Sequence, residues 1–210
     1  MPALCRRPHY SNQSRYRKYR DEIRQDCQFR CVYCDIHETE AGGAESMTLD
    51  HFRPKKMYPK LEHEPTNLMW ACAPCNQLKG NDWPAYGLPG NPTINGKAGY
   101  VNPFNSDRND YFKINGDGSL EPLKTPAEYM IYNLALNRSF LRYVRRRRDL
   151  IYSTLLALKK HFESELETLE IVLADASLSE LEKMRWIQDR ARLQAFLEVV
   201  IALDEALSLT

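Results

Sequence analysis

Two CxxC pairs, Cys31-Val-Tyr-Cys34 and Cys72-Ala-Pro-Cys75, stand 37 residues apart in this 210-residue chain, and they constrain the fold more than any other feature. Each pair sits on a tight turn that aims two sulfurs at one point. Four thiolates about 2.3 Å from a common centre make a tetrahedral zinc site. With four sulfurs the coordination is closed to water, so such a zinc is structural and contributes folding free energy on the order of 10 kcal/mol in small domains. The gap is longer than in a simple zinc ribbon, so a substantial element is inserted between the knuckles. Cys5 and Cys27 are left over. The opening "MPALCRRPHY" has no apolar core of an export signal, and no later run approaches the ~20 apolar residues of a membrane span. A cytoplasmic protein with reduced cysteines and no membrane contact is therefore expected.

Periodicity and punctuation divide the chain into four stretches. Residues 1–30 form a basic arm with eight Lys/Arg against three Asp/Glu, although the formal net charge of the whole chain is only +1. A local field of this kind, rather than the total, is what favours phosphate binding. Within the arm, 12–28 predicts a helix started by Asn12 or Ser14, with Tyr16, Tyr19 or Arg20, Ile23 and Cys27 as a thin apolar stripe. Residues 31–84 read as strand ("MTLDHF"), long loop, strand ("NLMWA") and a short helix ("APCNQLK") that Gly80 can end. Residues 85–125 are a loop-rich connector with a small hairpin around Asn115-Gly116-Asp117-Gly118. From 127 to 210 there is no further Pro or Gly. That stretch predicts a short helix at 126–135, a long one capped by Asn137 and running to about 174, and a third with a Ser177/Glu180 capping box. The class is α+β: a small zinc-stapled ββα-metal finger with a basic N-terminal helix and a mainly α-helical C-terminal region.

The inserted element carries the chemistry. "LDHFRPK", then "NL", then "ACAPCNQLKG" resembles the HNH nuclease family, whose ββα-metal finger is often stapled by two such knuckles. The match covers residues 31–83. What it implies is hydrolysis of nucleic-acid phosphodiesters, DNA first among them. A neutral histidine can take a proton from water near neutral pH, which makes His51 the candidate general base. The resemblance assigns Asp50 and Asn76 as oxygen ligands to a catalytic magnesium or manganese ion, and Asn67 to hydrogen bonds that fix the loop around the base. Successive residues of a strand point to opposite faces, so aiming both Asp50 and His51 at one phosphate needs a twisted or bulged strand end. Arg53 and Lys79 are candidate phosphate contacts, with Lys55 and Lys56 behind them and His37 and His63 weaker still.

The tail, "TPAEYMIYNLALNRSFLRYVRRRR", more loosely resembles HNH proteins encoded beside ATPases in bacterial anti-phage systems of the Septu type. That implies an antiviral role with an ATPase subunit as partner. The last helix, "RLQAFLEVVIALDEAL", offers an apolar face for docking. One finger carries one active site, so double-strand cutting would call for a homodimer or larger assembly. Two rival readings are a stand-alone nuclease of restriction or homing type, and a non-catalytic zinc module in which Asp50-His51 is a structural turn.

Overall fold

The computed structural model describes the backbone of residues 4–208 and the side chains of residues 4–204. It divides into two units, 1–146 and 147–210. In the first, a single 3-10 turn, Tyr16–Tyr19, leads into helix α1, Arg20–Asp26. The helix starts later than Asn12 or Ser14 would have it, and neither residue caps it. The chain before it makes its hydrogen bonds elsewhere: Ser11 N–H donates to Glu22 Oε1 (3.1 Å) and Gln13 N–H to Tyr19 Oη (3.1 Å). The expected stripe does form the inner face, with Tyr19, Ile23 and Cys27 buried. Gln28 and Phe29, both at positive φ, end the helix and turn the chain into the first knuckle.

Strands β1 (Met47–His51) and β2 (Leu68–Cys72) pair antiparallel with Met47 opposite Cys72 and His51 opposite Leu68. Helix α2, Ala73–Lys79, follows β2 without an intervening residue. This is the strand, loop, strand, helix order expected of the insert. All five residues of β2 are buried, since α1 and the first knuckle cover the hairpin. Val32 N–H donates to Trp70 O (3.0 Å), laying the first knuckle along β2.

The connector holds two hairpins. Strands β5 (Phe112–Ile114) and β6 (Leu120–Pro122) flank the Asn-Gly-Asp-Gly turn as the sequence predicts. Strands β3 (Ile94–Asn95) and β4 (Ala98–Gly99) form a smaller one where only loop was expected. Asp82 ties the finger to the next helix, α3 (Ala127–Asn133): its Oδ2 accepts from Tyr100 (2.6 Å), Tyr129 and Asn133 (3.1 Å).

Helix α4 spans Ser139–Leu173 and α5 Glu180–Ser208. Asn137 does not cap α4. Its amide instead closes a pair of bonds with Leu120, accepting from the N–H (2.7 Å) and donating to the carbonyl (3.0 Å). The capping box of α5 lies two residues beyond the expected pair, at Ser179 and Glu182. Arg145 of the "RRRR" run is buried and donates to Gly118 O (3.0 Å) and Leu136 O (2.9 Å). In the second unit α4 and α5 form a hairpin. Phe162 stacks on Phe196 at 5.9 Å, and Arg190 pairs with Glu170 at 3.1 Å. Leu155, Leu169, Leu197 and Val200 are its buried residues, whereas Ile171, Met184, Ile187 and Val199 are exposed.

Gly118 is the tightest point between the connector and α4: it sits at φ +78°, and a Cβ there would lie 2.2 Å from Arg142 O. The three nearest atoms, Arg142 O, C and Cα, are all backbone, which cannot yield cheaply. Gly118→Ala should destabilise the first unit by more than about 1 kcal/mol, read as a lower urea midpoint with an unchanged m-value.

Candidate functional site

The four cysteines of the two CxxC pairs converge. Their sulfurs all lie within 4.8 Å of one another, and all four residues are buried. Cys34 Sγ and Cys72 Sγ are 3.7 Å apart, close to the ~3.8 Å edge of a tetrahedron with 2.3 Å metal–sulfur bonds. The donor set fits zinc. It is the one group of three or more His, Cys, Asp or Glu side chains among the described residues placed to hold a metal ion. Arg138, just before α4, brings its guanidinium to this cluster, with Nη2 3.6 Å from Cys75 Sγ and 3.8 Å from Cys72 Sγ. Four thiolates around a divalent ion leave a net charge of −2, which a guanidinium at that distance offsets.

Asp50 and His51 are neighbours in sequence but face different surroundings. The β1–β2 register runs unbroken through both residues, so no bulge turns them to the same side. Asp50 is buried against Lys79, whose Nζ lies 3.0 Å from Oδ2 and 3.3 Å from Oδ1, and it accepts a hydrogen bond from the Tyr33 hydroxyl. Lys79 also donates to His51 O (2.9 Å) and is itself only 1% exposed. A phosphate contact for Lys79 is therefore not what this arrangement offers. Burial pushes the Asp50 carboxyl up, and the Lys79 charge and the hydrogen bonds from Tyr33 and Lys79 pull against it.

Asn76, one helical turn before Lys79, donates from Nδ2 to Thr48 Oγ1 (2.8 Å). The i, i+3 spacing of Asn76 and Lys79 matches the i, i+2 spacing of Thr48 and Asp50 on the facing strand. As placed, Asp50 and Asn76 do not fit the role of ligands to a divalent ion, because such an ion on Asp50 would meet the Lys79 ammonium at the same oxygens.

The His51 ring lies on the opposite side. Its Nε2 is 2.9 Å from Glu62 O, in the loop between the strands. A carbonyl only accepts, so Nε2 carries the proton and Nδ1 keeps its lone pair. Tyr16 packs edge-on at 4.7 Å between centroids. Burial pushes the His51 imidazole down, against the smaller upward pull of Glu62 O; the ring is neutral at pH 7.

Asn67 holds the two ends of the loop that carries Glu62. Its Oδ1 accepts from Arg53 N–H (2.9 Å), and its Nδ2 donates to Arg53 O (3.0 Å) and Leu61 O (3.3 Å). The Arg53 side chain donates to Asn91 O (2.5 Å) and Pro92 O (3.5 Å) over the rings of Tyr58 and Trp83. It ties the connector to the finger. His37 lies beside the first knuckle with Nδ1 2.8 Å from Thr39 Oγ1, and His63 stacks near Tyr16 at 6.2 Å.

Sequence reasoning passes over three of these parts. Glu62 acts through its main chain, which leaves no signature in residue type. Tyr16 sits on the stripe that reads as core, and Arg138 is one arginine among many in the tail.

Residues 31–82 match the family described as HNH endonuclease. A relative, the Septu protein PtuB of Bacillus thuringiensis, is 33% identical over 76 residues, covering 36% of this chain and 29% of that protein. The matched stretch thus spans under a third of the relative's own length. The two matches support a nuclease. No helix among the described residues is long and apolar enough to cross a membrane.

Asp50→Asn should leave the Lys79 ammonium buried without its partner and lower stability by about 3–5 kcal/mol; thermal unfolding of the zinc-loaded protein in magnesium-free buffer without chelator checks this. Removing zinc with a strong chelator should abolish the cooperative unfolding transition of the first unit. Arg138→Met should keep the fold but raise the rate of zinc loss on the order of 10–100-fold, followed with a chromogenic zinc indicator.

Proposed function

We propose that the chain is an HNH endonuclease that hydrolyses phosphodiester bonds of nucleic acid, DNA in the first instance, with His51 as general base. The observation that carries this reading is the fixed imidazole. Within the stretch that matches HNH endonucleases, burial keeps His51 neutral, Glu62 O assigns its tautomer, and Asn67 clamps the loop that supplies that carbonyl.

In the step we infer, Nδ1 takes a proton from a water molecule as the water oxygen attacks phosphorus. The P–O bond to the departing sugar oxygen then breaks, and that oxygen is protonated from solvent. A base fixed in this way contributes on the order of 10²–10⁴ in rate. Magnesium or manganese, if bound during turnover, would supply charge neutralisation at the phosphate. Asp50 and Asn76 are the residues that the resemblance offers it, and they could serve only if Lys79 withdraws from Asp50.

The antiviral role rests on the likeness to the Septu protein and to the tail pattern of such proteins. We propose that the α4–α5 hairpin, with Ile171, Met184, Ile187 and Val199 exposed, docks an ATPase subunit that controls cutting, and that cutting of both strands uses a second copy. The rival reading, a non-catalytic zinc module, draws on the Asp50–Lys79 pair, which gives Asp50 a purely structural use.

Plasmid cleavage in magnesium or manganese, with and without a co-expressed ATPase, separates these readings. His51→Ala should lose at least a hundredfold in rate while retaining zinc and a cooperative unfolding transition; cutting equal to wild type would remove His51 from the chemistry. Neutral imidazole is the active form, so the rate should fall as pH drops, with a midpoint below the ordinary histidine value of about 6.5.

A further inference from the structure

The basic arm does not present its charge evenly. Arg6 donates to Pro65 O and Leu68 O, Arg7 pairs with Asp26, Arg20 donates to Ala44 O and lies over the Trp70 ring, and Arg24 pairs with Glu38. These four are engaged with the protein's own groups. Arg15 and Arg17 are exposed, and neither forms an ion pair with a carboxylate among the described residues; Arg17 Nε donates only to the hydroxyl of its neighbour Tyr16 (3.5 Å). They line an open surface groove together with Ser14, Tyr16, Lys55 and His63. Its lining has three cations and no carboxylate.

The cleft lies beside the His51 ring. Tyr16 is the wall between them, 4.7 Å from His51 on one side and stacked on His63 on the other. Lys55 Nζ lies 5.1 Å over the Tyr16 ring and is paired at 2.9 Å with Glu62, the residue whose carbonyl fixes His51. The 3-10 turn at Tyr16–Tyr19 and the extended backbone of Arg15 (φ −140°, ψ 131°) hold the two arginines at its edge.

We infer that this cleft is the seat of the nucleic-acid backbone, with Arg15 and Arg17 on phosphates flanking the one presented to His51; the inference rests on the nuclease reading for the second half of that statement only. It assigns substrate contact to the N-terminal arm, where Arg53 and Lys79 are occupied within the fold. The two arginines contact substrate away from the reacting atoms, so their loss acts on binding before it acts on the proton transfer at His51.

The test is equilibrium binding of short DNA and RNA duplexes by the full chain without added divalent ions, over a range of salt, with cleavage measured in parallel. Arg15→Glu/Arg17→Glu should weaken binding on the order of tenfold or more at moderate salt and flatten the slope of log K against log salt by about 2 on the DNA duplex, roughly one per lost phosphate contact. Arg146→Glu/Arg147→Glu, which removes two exposed arginines of the tail, should leave binding at the wild-type level. His51→Ala should bind as wild type and not cut. Wild-type binding by the Arg15/Arg17 variant, or equal losses from both double variants, would overturn the cleft as the seat. Selective loss in the Arg15/Arg17 variant while His51→Ala still cuts would uphold the seat and overturn the base. Circular dichroism and zinc content keep misfolding apart from these outcomes, and both pairs are surface residues.

Discussion

Everything in the first unit hangs on four sulfurs meeting at one point. Cys31 and Cys34 close a turn laid on β2, while Cys72 ends that strand and Cys75 opens α2. Bringing these ends together closes the 37-residue insert into a loop. A metal on the four thiolates would offset the closure entropy of such a loop, beside the apolar core that Ile23, Tyr33, Trp70 and Leu68 build around it. Once closed, the loop has β1 paired to β2 and α2 packed against both. Arg138 then couples the start of the helical tail to the same cluster.

The hairpin that the cluster holds sorts its polar residues by face. On the α2 side, Thr48 meets Asn76 and Asp50 meets Lys79 and Tyr33. That side is a buried polar network, strongly destabilised by removal of either charge. On the other side, His51 is buried, neutral and aimed by Glu62 O, next to a cleft of cations. The resemblance places Asp50 and His51 in one active site. The regular strand separates them, and Lys79 stands against the carboxylate while Glu62 O holds the imidazole.

The sequence made much of this legible, and the limits have physical causes. Four cysteines at knuckle spacing read correctly because thiolate geometry admits few alternatives. The β1–β2–α2 order and the β5–β6 hairpin were readable from local pattern and turn chemistry. The caps were not. Asn137 and the Ser177/Glu180 pair satisfy local rules, but Asn137 found a better use on Leu120, and the box formed two residues later. The side-chain assignments of Lys79 and Arg53 followed type and proximity, and type does not say whether a cation faces water or a buried carboxylate.

By itself, then, the sequence determined the metal cluster, the inserted hairpin and the residue types able to move a proton, since these depend on spacing and on chemistry intrinsic to the side chains. Only the tertiary structure decided which cations remain available to a polyanion, which carbonyl fixes the tautomer of His51 and which charge stands against Asp50. Those depend on contacts between residues far apart in the chain, such as Tyr16 with His51 and Arg138 with Cys75. Such pairings are set by packing and the burial of charge, and no local pattern encodes them.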